Sequence, residues 1–387
     1  MRIIGVISVS RSDYGIYRPI LRQISATPGL RLELFVSGMH LSPEFGRTID
    51  EILHDGFHVA HQIEMLVSSD TPQAIAKSMA VGTMGFAQAF STSRPDILLT
   101  LGDRFEMHSA VVAALPFRIP IAHIHGGETT EGLIDEAIRH SITKMSHLHF
   151  AATEEYGQRI IQMGEEPWRV VVTGAPSLDN LRSIQLLSRD ELTRCHNLTL
   201  EEQSLLVTYH PVTLEHEKTG EHLGALLSAL EATGMYCIFT YPNADTEGRR
   251  VIEMVHHFAE SYGRAQIVTN LGTRSYFSLL AHVTAMVGNS SSGIVEAATF
   301  RLPVVNVGNR QRGRLHGKNV IDVGNDKEEI FEAIRRATSV EFRGSLAELE
   351  NPYGRGAASE AIVNSLARVD LERLVWKRFH RIRGTET

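Results

Sequence analysis

The sequence has little cysteine, no long apolar run and a deficit of positive charge. Its 387 residues include two cysteines, Cys195 and Cys237. They fall in segments that read as helix and buried strand. A disulfide framework and a cysteine-built zinc site are thereby excluded, and two free thiols in a reducing, cytoplasmic compartment are expected. No apolar run reaches the ~18 residues of a membrane span. The first residues, Met1-Arg-Ile-Ile-Gly-Val, lack the apolar region and small-residue cleavage site of a secretory leader and read as a strand. Lys and Arg number 38 against 45 Asp and Glu, a net charge of −7. That balance argues against a general nucleic-acid coat. It leaves room for a local basic pocket that takes a phosphorylated small molecule. Hydrophobic residues at 43% and charged residues at 21% exclude disorder, collagen and a coiled-coil rod. At roughly 150 residues per domain, the length suggests two or three domains.

What is present is alternation. Short, β-branched apolar runs at Ile3–Val9, Leu32–Val36, Ile97–Leu101, Ile119–Ile124, Leu148–Ala152 and Val170–Thr173 read as strands. Helical spacing lies between them, around Ile20 to Ile24 and over Phe45–Leu53, Ala74–Phe90, Glu106–Leu115, Asp135–Ser146 and Tyr156–Met163. A soft boundary falls near Gly174-Ala-Pro-Ser177, after which the alternation restarts from Leu205–Tyr209 through Val304–Val307. Helices are expected at Glu328–Ala337 and Ala358–Val369. Strands this apolar are buried on both faces, as in a parallel sheet covered by helices. The fold class is therefore α/β, with two doubly wound, Rossmann-like domains facing across a cleft, 1–175 and 176–357.

Ligands of open parallel sheets bind beyond the carboxyl ends of the strands, so the residues just after each strand are the candidates. The first strand runs into Ser10-Arg-Ser-Asp-Tyr-Gly15. Ser12 or Asp13 is placed to cap the next helix, and Arg11 adds a charge beside its free N–H groups. The plain alternative is a capped helix with a solvated arginine. Gly102-Asp103-Arg104 follows the next apolar strand, and His123-Ile-His125-Gly-Gly-Glu128 the one after. His123 and His125 share one face of an extended segment. No closely spaced ligand completes a metal shell, so acid/base or hydrogen-bonding work is the better reading and no metal is expected. Gly126-Gly127 would let backbone approach a ligand. Asp135 and Arg139, at i and i+4, share a helix face; a surface ion pair is the alternative.

In the second half, His210-Pro-Val-Thr213 and Tyr241-Pro-Asn243-Ala-Asp245 close strands. The strongest local signal is Gly288-Asn-Ser290-Ser291-Ser292-Gly293-Ile-Val-Glu296. A small-residue turn between a buried strand and a helix brings N–H groups and hydroxyls to one place, a phosphate or pyrophosphate cradle. Glu296, one turn in, is in range of a ribose diol. Arg310, Arg312 and Arg314 alternate after the next strand and are placed to line a phosphate site.

Taken together and in order, these segments resemble the hydrolysing UDP-N-acetylglucosamine 2-epimerases of sialic-acid biosynthesis, within the glycosyltransferase-B-like superfamily. Ser37-Gly-Met-His-Leu41 and Ile134-Asp-Glu-Ala-Ile-Arg-His-Ser-Ile-Thr-Lys144 belong to the same set, which spans Arg2 to about Tyr353. The resemblance implies two Rossmann-like domains, with a C-terminal helix, about 358–387, crossing back onto the first. It implies UDP bound mainly by the second domain, through Ser290, Ser291, Gly293 and Glu296, with Arg310 and Arg11 on the phosphate side. Asn243, Ser292, Arg139 and Arg314 complete the expected substrate contacts. Asp103, Asp135 and His210 match the family's catalytic polar residues. One departure stands out: many relatives carry Glu where this chain has His125. Either His125 substitutes as acid/base or Glu128 moves in, and the sequence leaves both open.

The implied chemistry is elimination, then hydration. A base removes the C2 proton while UDP leaves C1, and a 2-acetamidoglycal forms. Water adds at C1 and a proton returns to C2 from the opposite face, releasing N-acetylmannosamine and UDP. No cofactor is needed. The same motifs admit UDP-N,N′-diacetylbacillosamine, on the route to legionaminic acid, since they address UDP and C1–C3 rather than C4 and C6. A glycosyltransferase of the same architecture is the rival from another class. The resemblance also implies a homodimer or homotetramer, with no nucleic-acid or membrane partner.

Overall fold

The structure, a computed structural model, describes residues 1–67, 69, 71–131, 134–212, 217–241, 248–269 and 271–381. The chain divides into two compact units. One comprises 1–128, 134–180 and 353–387, and the other 129–133 and 181–352.

In the first unit, seven strands among the described residues form a parallel sheet: β1 (Arg2–Ser8), β2 (Leu30–Ser37), β3 (Val59–Ile63), β4 (Ile97–Leu101), β5 (Ile121–Ile124), β6 (Leu148–Ala151) and β7 (Val170–Val172), in the order β3-β2-β1-β4-β5-β6-β7. Chain order reverses between β1 and β4, so the carboxyl ends of these two strands flank the natural ligand crevice. The central strands are apolar because helices cover both faces; every residue of β4 is buried. Helix Arg11–Ala26 is capped by Ser10, whose hydroxyl accepts from Asp13 N, and buries Tyr14, Tyr17, Ile20, Leu21 and Ile24 at helical spacing.

The C-terminal segment packs on this same unit. Both oxygens of Asp179 accept from the first N–H groups of helix Ala358–Arg368, at Ala358 and Ser359. Fully buried Arg169 donates to the carbonyls of Leu374 and Trp376 at 2.9 and 2.6 Å. Ile362, Val363 and Leu366 join the first unit's core.

In the second unit the parallel sheet contains β8 (Ser204–Thr208), β9 (Tyr236–Thr240), β10 (Ala265–Val268), β11 (Ala285–Gly288), β12 (Val304–Val307) and β13 (Val320–Val323), ordered β10-β9-β8-β11-β12-β13. Here the reversal lies between β8 and β11. Leu205, Val207, Val287 and Val305 are completely buried between the covering helices. Among the described residues, no helix is long and apolar enough to cross a membrane.

Candidate active site

In the first unit the chemistry gathers beyond β4 and β5. Gly102 adopts φ +71° and turns the chain so that Asp103 follows the strand end. Arg139, on helix Ile134–Met145, is completely buried and is held by acceptors on both sides of the helix start. Its guanidinium pairs with the Asp103 carboxylate, donates to Glu136 Oε2 at 2.8 Å and donates to the Glu128 carbonyl at 3.0 Å. A buried arginine needs such acceptors, since an unpaired charge in the interior is costly. It fixes Asp103 to the helix that carries Asp135.

The two histidines of the strand-end motif part company. His123 is fully buried, with Nε2 2.8 Å from the Gly102 carbonyl and Nδ1 3.2 Å from Thr143 Oγ1. A carbonyl only accepts, so Nε2 carries the proton and Nδ1 accepts from the threonine. Burial holds its pKa down to about 3, and the ring is a neutral brace behind Gly102. His125 lies just past β5 with φ +64°. Its N–H donates to Phe150 O at 3.2 Å, and its Nδ1 lies 2.5 Å from Oε1 of buried Glu128. A carboxylate on one ring nitrogen fixes the tautomer and ring orientation and leaves Nε2 to work. Both alternatives left open by the sequence thus meet in one pair.

The glycines between them are required by packing. A Cβ on Gly127 (φ +75°) would lie 2.4 Å from Tyr156 O, and one on Gly126 would lie 3.0 Å from His123 Nδ1. Arg11 is exposed beside the Ser10 cap, and Asp13 is buried.

In the second unit, His210 follows β8 and Asn289 follows β11. His210 is buried, and burial first, then the Arg310 charge, holds its imidazole well below the usual range. The ring is therefore neutral at neutral pH. Gly288 (φ +129°) has no room for a side chain, since a Cβ would meet Thr208 O at 2.0 Å. The Ser290 hydroxyl accepts from Ser292 N and caps a helix of five residues, Ser291–Val295, which a 3-10 turn continues over Ala297–Phe300. Ser291 is exposed, Ser290, Ser292 and Glu296 are half-buried, and Gly293 is buried under Val304.

Arg310 donates to the Asn289 carbonyl at 3.1 Å. Arg312 turns to Glu131 at 3.2 Å. Arg312 and Arg314 both line a cavity of about 830 Å³ with Gln311, His316, Asp322 and Arg336. Two of the three alternating arginines thus face one cavity, and Arg310 is turned to Asn289. Tyr276, unremarked in the sequence, lies beside Ser292 and Glu296, and burial pushes its phenol above the usual range. An aromatic four residues past the start of helix Gly272–His282 was its one available signal. Asn243, with Asp245 and Thr213, lies outside the described residues.

Two parallel-sheet α/β units with polar groups at the carboxyl ends of their strands are the architecture of the glycosyltransferase-B-like folds. The chain belongs to the UDP-N-acetylglucosamine 2-epimerase family, whose model matches residues 22–367. It is 37% identical to the GDP/UDP-N,N′-diacetylbacillosamine 2-epimerase (hydrolyzing) of Campylobacter jejuni, over 98% of both chains. It is 35% identical to the UDP-N,N′-diacetylbacillosamine 2-epimerase (hydrolyzing) of Legionella pneumophila, over 96% of this chain and 97% of that one. It is 34% identical to polysialic acid biosynthesis protein P7 of Escherichia coli, over 95% and 93%. Among solved structures, the UDP-GlcNAc 2-epimerase of Neisseria meningitidis bound to UDP-GlcNAc shares the fold, with a TM-score of 0.80 at 18% identity over 95% and 100% of the chains.

Proposed function

We propose that this chain is a hydrolysing 2-epimerase of a UDP-linked 2-acetamido sugar, and that its sugar is N,N′-diacetylbacillosamine. The observation that carries the choice of sugar is the pair of relatives bearing that name, matched at 37% and 35% identity over nearly their full lengths. It replaces N-acetylglucosamine as the first expectation, since strand-end motifs that address UDP and C1–C3 do not discriminate at C4 and C6.

In this reading the second unit takes the nucleotide. Ser290–Gly293 and Arg310 receive the diphosphate, and Glu296, beside Tyr276, receives the ribose. The neutral His210 donates a hydrogen bond to the departing phosphate, which it stabilises without losing its proton. The first unit supplies proton transfer. Asp103, fixed by Arg139, and Asp135 remove and return protons at C2, and His125, oriented by Glu128, works with them. A base and an acid acting on opposite faces of a ring need such separately anchored groups. The C2 proton is not acidic without a neighbouring carbonyl, so stabilisation of the leaving diphosphate carries most of the barrier reduction. Water then adds at C1 of the glycal, and the 2-epimeric free sugar and the nucleotide depart.

The test is to incubate the protein separately with UDP-N,N′-diacetylbacillosamine, its GDP counterpart and UDP-N-acetylglucosamine, and to follow nucleotide release by chromatography. Faster release from the diacetylated UDP sugar supports the proposal. Faster release from UDP-N-acetylglucosamine overturns the choice of sugar. No release from any of them without an acceptor overturns the reaction and favours a transferase.

A further inference from the structure

At the point where the second sheet reverses, one residue binds three strand-end segments together. Asn289 follows β11 and is 1% exposed. Its N–H donates to Thr208 O at 3.1 Å, at the end of β8. Its Oδ1 accepts from His210 N at 2.7 Å, and its Nδ2 donates to His210 O at 2.8 Å. Its own carbonyl accepts from Arg310 Nη1 at 3.1 Å and from Gln311 Nε2 at 2.9 Å, both beyond β12. The side chain thus pairs with both polar backbone groups of His210 as a neighbouring strand would, where the ladder between β8 and β11 has ended at Thr208 and Gly288.

We propose that Asn289 is a positioning residue that sets the His210 imidazole against the departing phosphate while its carbonyl aims Arg310 at the same group. The inference rests on the reading in which His210 hydrogen-bonds the leaving group. The chemistry asks for a side chain with one donor and one acceptor at this length, because His210 N donates and His210 O accepts. Asparagine supplies both at once. Aspartate supplies only acceptors, and serine is too short to meet both. A buried amide with both ends satisfied also holds its partner in one conformation, since each bond lost would leave a buried polar group unpaired. The division of labour is specific. The side chain serves His210, and the main-chain carbonyl, which no substitution removes, serves Arg310.

The experiment compares Asn289→Ala and Asn289→Asp with wild type and with His210→Asn, on the full chain. Three readouts are taken: kcat, the UDP dissociation constant by calorimetry, and the ring NMR signal of His210 in histidine-labelled protein, assigned by its loss in His210→Asn. Asn289→Ala is expected to lower kcat by ~10²-fold, the lower end of what a placed proton-handling group contributes. UDP affinity is expected to stay within about threefold. In the His210→Asn background the same substitution should cost little more, as for residues that act as a unit. Asn289→Asp keeps one bond at nearly the same volume, and retained UDP affinity in both variants guards against simple misfolding. In Asn289→Ala, which adds no charge, the His210 ring signal should move, reporting a displaced imidazole, while kcat falls and UDP affinity holds.

A kcat within threefold of wild type, a full additional loss in the His210→Asn background, or an unmoved His210 signal would each overturn the proposal. If wild type itself releases no nucleotide from any sugar tested, the functional reading fails. The placement of His210 by Asn289 is then still decided by the NMR signal.

Discussion

His125 Nδ1 lies 2.5 Å from Glu128 Oε1, on a residue whose φ is +64°. A non-glycine residue held in the left-handed region costs on the order of 1–3 kcal/mol and persists where its surroundings over-determine it. Here the Phe150 carbonyl fixes the backbone and Glu128 fixes the ring. The strain buys one orientation of Nε2, which is what an acid/base group requires. His125→Gln is therefore expected to lower kcat by ~10²–10⁴-fold. Glu128→Gln, which loses only the orienting charge, should cost less, and the double variant should resemble His125→Gln alone. Steady-state kinetics with UDP calorimetry checks this. Glu128→Gln at wild-type kcat would remove the dyad.

Arg139 is completely buried and bonded to Asp103, Glu136 and the Glu128 carbonyl. Arg139→Met removes one charged partner of the Asp103 and Glu136 carboxylates, each about a quarter exposed, and is expected to destabilise the fold by ~1–3 kcal/mol. Any UDP binding by the folded fraction should be unchanged. Denaturant unfolding and calorimetry separate the two effects. Weaker UDP binding at unchanged stability would instead place Arg139 on the phosphate.

Asp103→Asn should keep UDP affinity and lose turnover, because the nucleotide belongs to the second unit. Arg310→Ala should do the reverse first, weakening UDP by ~10–100-fold, as expected for losing a charge-assisted hydrogen bond. Equal UDP dissociation constants for Arg310→Ala and wild type would count against the cradle.

Burial pushes the Asp13 carboxyl from 3.8 up to about 6, against the opposing pull of Arg104. The folded chain therefore holds a proton that the unfolded chain gives up earlier. This group's contribution is fully present below about pH 4 and is lost as the pH rises through about 6. The shift corresponds to about 3 kcal/mol at most. Asp13→Asn should be more stable than wild type at pH 8, with the advantage vanishing near pH 4. Melting temperatures across that range test it, and a constant difference would contradict it.

The alternation of apolar runs and helical spacing made the parallel sheets legible, because strands buried on both faces carry an unbroken apolar signature. Edge strands carry it less surely. β7 and β10 were legible, whereas β3, Val-Ala-His-Gln-Ile, and β13, Val-Ile-Asp-Val, are half-covered, admit polar residues and went unread. The strand-end motifs pointed to Asp103, His125, His210 and the Gly288–Glu296 turn. What each does depended on contacts far apart in the chain. His123 and His125 are alike in sequence, yet Gly102 and Thr143 make one a brace while Glu128 makes the other a dyad. Asn289 had no signal of its own inside a run of small polar residues, because its partners lie 79 positions upstream and 21 and 22 positions downstream.

Proton NMR in deuterated water, with UDP-N,N′-diacetylbacillosamine as the sole substrate, tests the central claim most directly. The account predicts free UDP together with a free sugar that is inverted at C2 and carries deuterium there. A released sugar that retains its original C2 proton and configuration would contradict it.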